Sequence, residues 1–208
     1  AKELNTNFVF LSRLASDFKL TVLRMILVPF FVLALLWPFP HHYLVALALF
    51  GAASYTDHLD GMLARKHNQI TDFGKFMDPL ADKILVISAL VCFVSLGLCD
   101  VWLVLLIIAR EFMVTSVRLV AAGKGTVIAA NNWGKVKTVS QIVAICVIML
   151  TQYLAELGSM GILTWVNEDA VVLFWAIGEV FLAVATFFAV LSGLVYLKQN
   201  WEIVKTAK

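Results

Sequence analysis

The 208-residue chain contains little charge, since Asp, Glu, Lys and Arg make up only 14% of it and hydrophobic residues make up 62%. A soluble domain carries about 25% charged residues, so this composition argues against a water-soluble globular protein. Cysteine is also scarce: Cys92, Cys99 and Cys146 form no CxxC pair, and they support neither a disulfide framework nor a zinc site. The N-terminus does not resemble a secretory signal, because it has no short apolar core followed by a small-residue cleavage site.

Long apolar stretches dominate the rest of the sequence. A helix needs about 20 mostly apolar residues to cross a bilayer, and six stretches approach that length between breakers such as Pro38, Pro40 and the Gly97–Asp100 turn. The loop before the fifth stretch is marked by Asn131, Asn132 and Gly134. We predict an all-α integral membrane protein with six transmembrane helices, at 20–38, 43–59, 79–98, 101–122, 136–155 and 170–197.

An amphipathic segment precedes the first predicted span. Its apolar side chains recur at helical spacing, at Phe8, Leu11, Leu14, Ala15 and Phe18. This pattern predicts a helix that lies in the membrane interface. The predicted organisation is therefore an interfacial helix at 1–19 followed by one membrane domain at 20–208.

The positive charges predict the orientation. All sixteen Lys and Arg residues fall on one side of the six-span map, and the opposite connections contain none. The positive-inside rule then places both termini and the second-to-third connection in the cytoplasm. Four tryptophans lie near predicted span ends, as interfacial aromatics do, at Trp37, Trp102, Trp165 and Trp201. We predict an integral protein of a bacterial cell membrane and expect no nucleic-acid partner.

The second-to-third connection is rich in aspartate. Asp57 and Asp60 are three residues apart, and Asp78 and Asp82 are four apart, so each pair shares one face of a helix. A short loop that contains Gly74 is expected to join the two helices as antiparallel neighbours. The four carboxylates would then converge at the cytoplasmic edge of the membrane.

Four converging carboxylates need compensation, because like charges and burial both disfavour ionisation. Hard divalent cations such as Mg²⁺ or Mn²⁺ prefer carboxylate oxygens, and two such ions suit phosphoryl transfer. Gly61 and Ala64 leave room for a phosphate-bearing ligand, and the planar guanidinium of Arg65 can bind phosphate oxygens. Asp72 is out of phase with both pairs and is interpreted as a solvated acidic residue.

The complete pattern D-x2-D-G-x2-A-R-x8-G-x3-D-x3-D resembles the motif of the CDP-alcohol phosphotransferase family of membrane enzymes. The resemblance implies a six-helix fold, a homodimer, a site for two divalent ions (Mg²⁺ or Mn²⁺), and transfer from a CDP-linked lipid to an alcohol with release of CMP. It implies that Asp57, Asp60 and Asp78 bind metal, and that Asp82 is the general base and a further metal ligand. The implied CDP-binding residues are Asp60, Gly61, Ala64, Arg65 and Gly74.

The resemblance extends to the first predicted span, where Thr21 and Arg24 match family positions and are implied to contact CDP. The chain departs from the family just before that span. It has Ser16-Asp17-Phe18 where the family often has Ile-Pro-Asn, so the contacts of that Asn to the nucleotide are not expected here.

Four cations are candidates for binding an anionic alcohol acceptor: Arg110, Arg118, Lys135 and Lys137. The segments Ala109–Glu111, Arg118-Leu119 and Gly134–Thr138 resemble the phosphatidylglycerophosphate synthase branch of the family. That resemblance implies CDP-diacylglycerol as the lipid donor and sn-glycerol 3-phosphate as the acceptor. Lys135 and Lys137 are two residues apart and cannot point the same way on a helix, so which of them faces the acceptor is left open.

Two alternatives remain at this point. The same fold could serve another acceptor, such as inositol phosphate, serine or phosphatidylglycerol, although the cations weigh against serine. The acidic cluster could instead be the ion site of a divalent-cation transporter or sensor. Against the latter, all four aspartates lie at one membrane edge, and Glu179 is the residue considered as a continuation of an ion path; it is expected to pair with a buried Arg.

Overall fold

The computed structural model describes residues 25–67, 72–123, 132–201 and 205, with the backbone alone at 56–67, 72–82 and 132. Within these residues the chain forms six α-helices and no β-strand. The helices are α1 Met25–Leu36, α2 His42–His67, α3 Asp72–Ser95, α4 Val101–Gly123, α5 Asn132–Ser159 and α6 Glu168–Gln199. The all-helical prediction is confirmed over these ranges, and the predicted interfacial helix at 1–19 lies outside them.

Three helices extend beyond their predicted spans. α2 continues past 59 to His67, α3 begins before 79 at Asp72, and α5 begins before 136 at Asn132. Gly74 and Gly134, which we assigned to loops, therefore lie in the first turns of α3 and α5, and Asn132 also belongs to its helix. Hydropathy did not detect these extensions because they are polar. Asn and Gly are tolerated there because the first helical N–H groups have no intrahelical partner.

Two helices are long and apolar enough to cross a membrane on length and composition, Trp133–Ser159 within α5 and Glu168–Gln199. α6 also presents an exposed apolar stripe to its surroundings, at Val172, Val180, Phe187 and Leu194. Exposed apolar surface of this extent is unfavourable in water. It favours a lipid environment and supports membrane association.

The tryptophans occupy helix ends, as predicted. Trp37 follows α1, Trp102 lies in the first turn of α4, Trp165 precedes α6, and Trp201 follows it. Their exposed fractions are 67%, 70%, 59% and 51%. Indole rings so placed suit a boundary between apolar and aqueous phases.

The structure divides into two compact units, residues 1–88 and 89–208. In the first unit, α1 packs against α2 through Phe31 and Phe50, whose ring centroids are 5.7 Å apart. Both rings are fully buried. The apolar face of α1 therefore supports the helix that carries Asp57 and Asp60.

In the second unit, α6 packs against both α4 and α5. Gly178 allows the close approach of α5, since a Cβ atom there would lie 3.0 Å from Ile148 Cγ1. Gly193 allows the close approach of α4, since a Cβ atom there would lie 2.9 Å from Arg110 Cγ. Small residues at helix contacts are characteristic of membrane bundles, and these two set the positions of the neighbouring helices.

Glu179 of α6 stabilises the turn between α3 and α4. Its two carboxylate oxygens accept from the backbone N–H of Asp100, at 3.1 and 3.3 Å. The Asp100 side chain in turn accepts from the N–H of Trp102 at 2.7 Å, at the start of α4. Among the described residues, the Glu179 carboxylate contacts this backbone N–H, just before α4, rather than the buried Arg that we expected.

We expect Glu179→Ala to lower the free energy of unfolding by about 1 kcal/mol, the usual net value of one such hydrogen bond. Thermal unfolding in detergent measures this change. Val180→Ala, at the exposed neighbouring position, is the control and should have little effect. Equal unfolding of both variants would show that the contact with Asp100 does not stabilise the turn.

The three cysteines are free thiols, as the sequence indicated. Cys99 lies in the same α3–α4 turn. Burial, together with the nearby carboxylates of Glu179 and Asp100, raises the pKa of the Cys99 thiol to about 12. The thiol is therefore neutral at physiological pH, and a neutral thiol is a poor nucleophile.

Candidate active site

Both aspartate pairs lie within regular helix. Asp57 and Asp60 belong to α2, and Asp78 and Asp82 belong to α3. The helical spacing of each pair is therefore confirmed, and the two members of each pair share a helix face. The side chains of all four aspartates lie outside the described part of the structure, so their convergence and their roles remain predictions.

The remaining motif residues continue the same helices. Gly61, Ala64 and Arg65 follow Asp60 on α2, and Gly74 lies near the start of α3. By helical register Gly61 and Ala64 share the face of Asp57, which keeps that face small beside a carboxylate. Thr21 and Arg24, the other predicted CDP-binding residues, lie outside the described ranges.

A divalent ion fits this register. Two carboxylates on each of two helices supply the hard oxygen ligands that Mg²⁺ and Mn²⁺ prefer. Among the described side chains, no group of three His, Cys, Asp or Glu could hold a metal ion. The side chains of the four aspartates lie outside that search, and they stay the predicted metal ligands.

A second cluster of charges lies in the helical unit formed by α4, α5 and α6. Glu111 Oε1 accepts from Arg110 Nη1 at 2.9 Å and forms a salt bridge with Lys137 Nζ. We call Arg110, Glu111 and Lys137 the buried ionic cluster. It joins the Arg of α4 to a Lys of α5 through one carboxylate.

The buried ionic cluster has little access to solvent. Its side chains are 10% exposed for Arg110, 8% for Glu111 and 9% for Lys137. Buried charges are tolerated only when they are paired and hydrogen-bonded. Within the cluster one carboxylate contacts two cations, and a pair of cations is suited to binding an anion.

α6 holds Arg110 in place. Arg110 Nη2 donates a hydrogen bond to Ser192 Oγ, and the next residue, Gly193, leaves room for the arginine stem. Together with the salt bridge to Glu111, these contacts restrict the guanidinium on two sides. Such a preorganised guanidinium is suited to binding phosphate oxygens.

The other two predicted acceptor-binding cations lie elsewhere on the same helices. Lys135 is exposed, whereas Lys137 is buried, as expected of residues two apart on a helix. Lys135 lines a groove of about 430 Å³ with valines of α5 and with Phe181 and Val184 of α6. Arg118 is exposed, and its Cζ lies 5.7 Å from the centroid of the Tyr196 ring. The structure thus brings together Arg110 and Lys137 of the four.

Sequence reasoning missed Glu111 and Ser192 as parts of this cluster. A signal for Glu111 was available, since an acidic residue beside an arginine within a long apolar helix requires a partner. Ser192 gave no such signal. Serine is compatible with any position in an apolar helix because its hydroxyl can bond to the backbone of the preceding turn.

The family model for CDP-alcohol phosphatidyltransferases matches residues 18–191. A Bacillus subtilis protein, CDP-diacylglycerol--glycerol-3-phosphate 3-phosphatidyltransferase, is 42% identical over 201 residues, which are 91% of this chain and 96% of that protein. A Pseudomonas fluorescens protein of the same name is 34% identical over 193 residues, 90% of each chain. A probable phosphatidylglycerophosphate synthase of Mycobacterium tuberculosis is 46% identical over 134 residues, 63% of this chain and 64% of that protein.

The chain therefore belongs to the CDP-alcohol phosphatidyltransferase family. It is an enzyme of the phosphotransferase class, and the family match covers both aspartate pairs and most of the helices described above. The resemblance found in the motif is confirmed. Membership of this family weighs against the transporter and sensor alternatives.

Proposed function

We propose that this enzyme transfers the phosphatidyl group of CDP-diacylglycerol to sn-glycerol 3-phosphate, which yields phosphatidylglycerophosphate and CMP in phospholipid biosynthesis. The names of its relatives support both substrates. The observation that carries the acceptor assignment is the buried ionic cluster, because its two cations suit a phosphorylated alcohol. Glycerol is uncharged and serine is a zwitterion with no net charge, so both match the two cations less well than a phosphate does.

In this proposal Asp57, Asp60, Asp78 and Asp82 hold two divalent cations, Mg²⁺ or Mn²⁺. When bound, these ions supply charge neutralisation at the phosphoryl oxygens and at the departing CMP. Asp82 also acts as general base and removes the proton from the primary hydroxyl of the acceptor. The acceptor oxygen then forms a bond to the lipid-linked phosphorus, and the bond from that phosphorus to the CMP oxygen breaks.

The CDP moiety is held by the rest of the motif. Gly61 and Ala64 let the nucleotide approach α2, and Arg65 binds a phosphate oxygen. The full proposed set of CDP-binding residues is Asp60, Gly61, Ala64, Arg65, Gly74, Thr21 and Arg24.

The acceptor phosphate is held by cations from α4 and α5. Arg110 and Lys137 are its principal ligands, because they are buried and restrained by Glu111. Arg118 and Lys135 complete the proposed set as exposed cations that attract the anion from water.

We further propose that all six helices cross a bacterial cell membrane. The polar extensions of α2, α3 and α5 would project into the cytoplasm, so water-soluble acceptor and CMP exchange there while acyl chains stay in lipid. We also propose a homodimer, in which part of the exposed apolar surface meets a second copy of the chain.

CMP release by the purified enzyme tests the proposed function. CDP-diacylglycerol is supplied with Mg²⁺ or Mn²⁺ and with glycerol 3-phosphate, inositol phosphate, serine or glycerol as acceptor. We expect release that depends on glycerol 3-phosphate and stops when a chelator is added. Release with inositol phosphate alone would move the acceptor assignment, and release that survives chelation would contradict the metal site.

Gly193→Ala tests whether the position of Arg110 controls acceptor binding. The new methyl group would lie 2.9 Å from Arg110 Cγ and 3.1 Å from Met113 Cε, so the arginine must move. We expect the KM for glycerol 3-phosphate to rise about tenfold, equivalent to about 1.4 kcal/mol, with little change in the KM for CDP-diacylglycerol. Steady-state CMP release measures both constants.

Gly178→Ala is the matched control for Gly193→Ala. It places a methyl group at a similar distance, 3.0 Å, from Ile148 of α5, away from the buried ionic cluster. It should lower stability without raising the acceptor KM selectively. An equal effect of the two substitutions on the acceptor KM would mean that helix packing in general, rather than Arg110, is responsible.

A further inference from the structure

Gln141 and Ser192 are the most deeply buried polar residues among those described, each with an exposed fraction of 2%. Gln141 lies on α5 one turn beyond Lys137, so the two side chains share a helix face. Its carboxamide nitrogen, Nε2, meets no hydrogen-bond acceptor among the described residues. A buried amide donor left in this way is unfavourable, and such groups usually have a role outside packing.

The turn of α5 that follows Gln141 on this face is apolar. Ala144 and Ile145, three and four residues further along, are fully buried. Leucine has nearly the volume of glutamine and would fill this position without an unpaired donor. Packing alone therefore does not account for an amide here.

Two other buried groups that can donate hydrogen bonds are unpaired among the described residues. Arg110 Nε is also buried without an acceptor in the described part of the chain, although its two Nη atoms are engaged by Glu111 and Ser192. On α6, one turn from Ser192, the buried hydroxyl of Tyr196 is likewise unpaired within the described ranges. Buried donors beside the two cations Arg110 and Lys137 are suited to an anionic acceptor of hydrogen bonds.

We propose that Gln141 is a substrate-binding residue that donates from Nε2 to a phosphate oxygen of the acceptor. This inference rests on the proposed function and adds a neutral donor to the cations assigned there. Glu111 then has a defined part as a positioning residue, because it keeps Arg110 and Lys137 paired until the phosphate binds. The phosphate oxygens supply hydrogen-bond acceptors for Gln141 Nε2 and Arg110 Nε, which meet none among the described residues.

Gln141→Leu gives opposite results for a binding role and for a structural role. A binding role predicts a rise of about tenfold in the KM for glycerol 3-phosphate, a nearly constant KM for CDP-diacylglycerol, and an unfolding temperature that is equal or higher. The stability should not fall because leucine removes an unpaired buried donor. Gln141→Glu should raise the acceptor KM further, since a carboxylate repels phosphate.

Thr151→Val is the matched control on the same helix. Thr151 is also buried, at 7% exposure, but its hydroxyl donates to the carbonyl of Ile148 at 3.0 Å. This substitution should leave both KM values unchanged.

A lower unfolding temperature of Gln141→Leu with an unchanged acceptor KM would overturn the inference and make Gln141 a structural residue. That result, obtained beside wild-type activity with glycerol 3-phosphate, leaves the proposed function standing. Wild-type enzyme that releases no CMP with any phosphorylated acceptor would instead reject the proposed function and this inference together. Wild-type preference for inositol phosphate would reject the proposed acceptor alone, and the Gln141→Leu comparison is then made with that substrate.

Discussion

Asp82→Asn is expected to reduce turnover by about 10³-fold or more. General acid–base catalysis usually contributes about 10²- to 10⁴-fold to the rate. Asparagine has nearly the same shape, but its amide cannot accept the proton of the acceptor hydroxyl. The substitution leaves three of the four proposed metal ligands, Asp57, Asp60 and Asp78. Asp78 lies four residues earlier on the same face of α3. Binding of CDP-diacylglycerol should therefore survive at least in part, as measured by titration of the purified variant.

Asp72→Asn is the control for Asp82→Asn. Asp72 is the first residue of α3 and is out of phase with the aspartate pairs. Aspartate and asparagine serve about equally at a helix N-terminus, so turnover should stay near the wild-type rate. Retained turnover in Asp82→Asn would remove this residue as the base, and complete loss of CDP-diacylglycerol binding would assign it chiefly to metal binding.

Glu111→Gln is expected to destabilise the protein by about 3–5 kcal/mol, the usual consequence of removing one partner from a buried ion pair. Arg110 and Lys137 would remain buried with no negative charge between them. Thermal unfolding in detergent measures the loss. Glu168→Gln is the control, because Glu168 is exposed in the first turn of α6 and should change stability only slightly.

A double variant tests whether the charge imbalance causes this loss. Adding Lys137→Met to Glu111→Gln removes one of the two cations that Glu111 contacts. The double variant should therefore be less destabilised than the sum of the two single variants, by an amount typical of residues in one network, about 0.5–3 kcal/mol. Additive effects would show that Glu111 and Lys137 contribute independently.

The sequence predicted the helices well where apolarity and breakers coincide. α4 and α6 begin and end within two residues of the predicted spans, because glycine, asparagine or charged residues flank continuous apolar runs. The C-terminal end of α2 and the starts of α3 and α5 were placed wrongly. These turns are polar and helical at once, so a criterion based on transfer into lipid does not detect them.

The arrangement of the aspartate motif could be predicted from the sequence because residues three or four apart share a helix face. Helical register alone places Asp57 with Asp60 and Asp78 with Asp82. The contact between Arg110 and Ser192 could not be predicted in the same way. Ser192 is 82 residues away along the chain, and only the packing of α6 on α4 brings them together. The position of Gln141 in the sequence likewise gave no signal. Its burial without a hydrogen-bond acceptor among the described residues is seen only in the packed helices.

The fate of the acceptor's oxygen tests the central claim most directly. The purified enzyme is given CDP-diacylglycerol, a divalent cation and glycerol 3-phosphate whose primary hydroxyl carries heavy oxygen, and the lipid and nucleotide products are analysed by mass spectrometry. The account predicts phosphatidylglycerophosphate that retains the heavy oxygen and CMP that contains none, because the acceptor hydroxyl attacks the lipid-linked phosphorus. Label in CMP, or CMP formed with phosphatidic acid and no phosphatidylglycerophosphate, would contradict it.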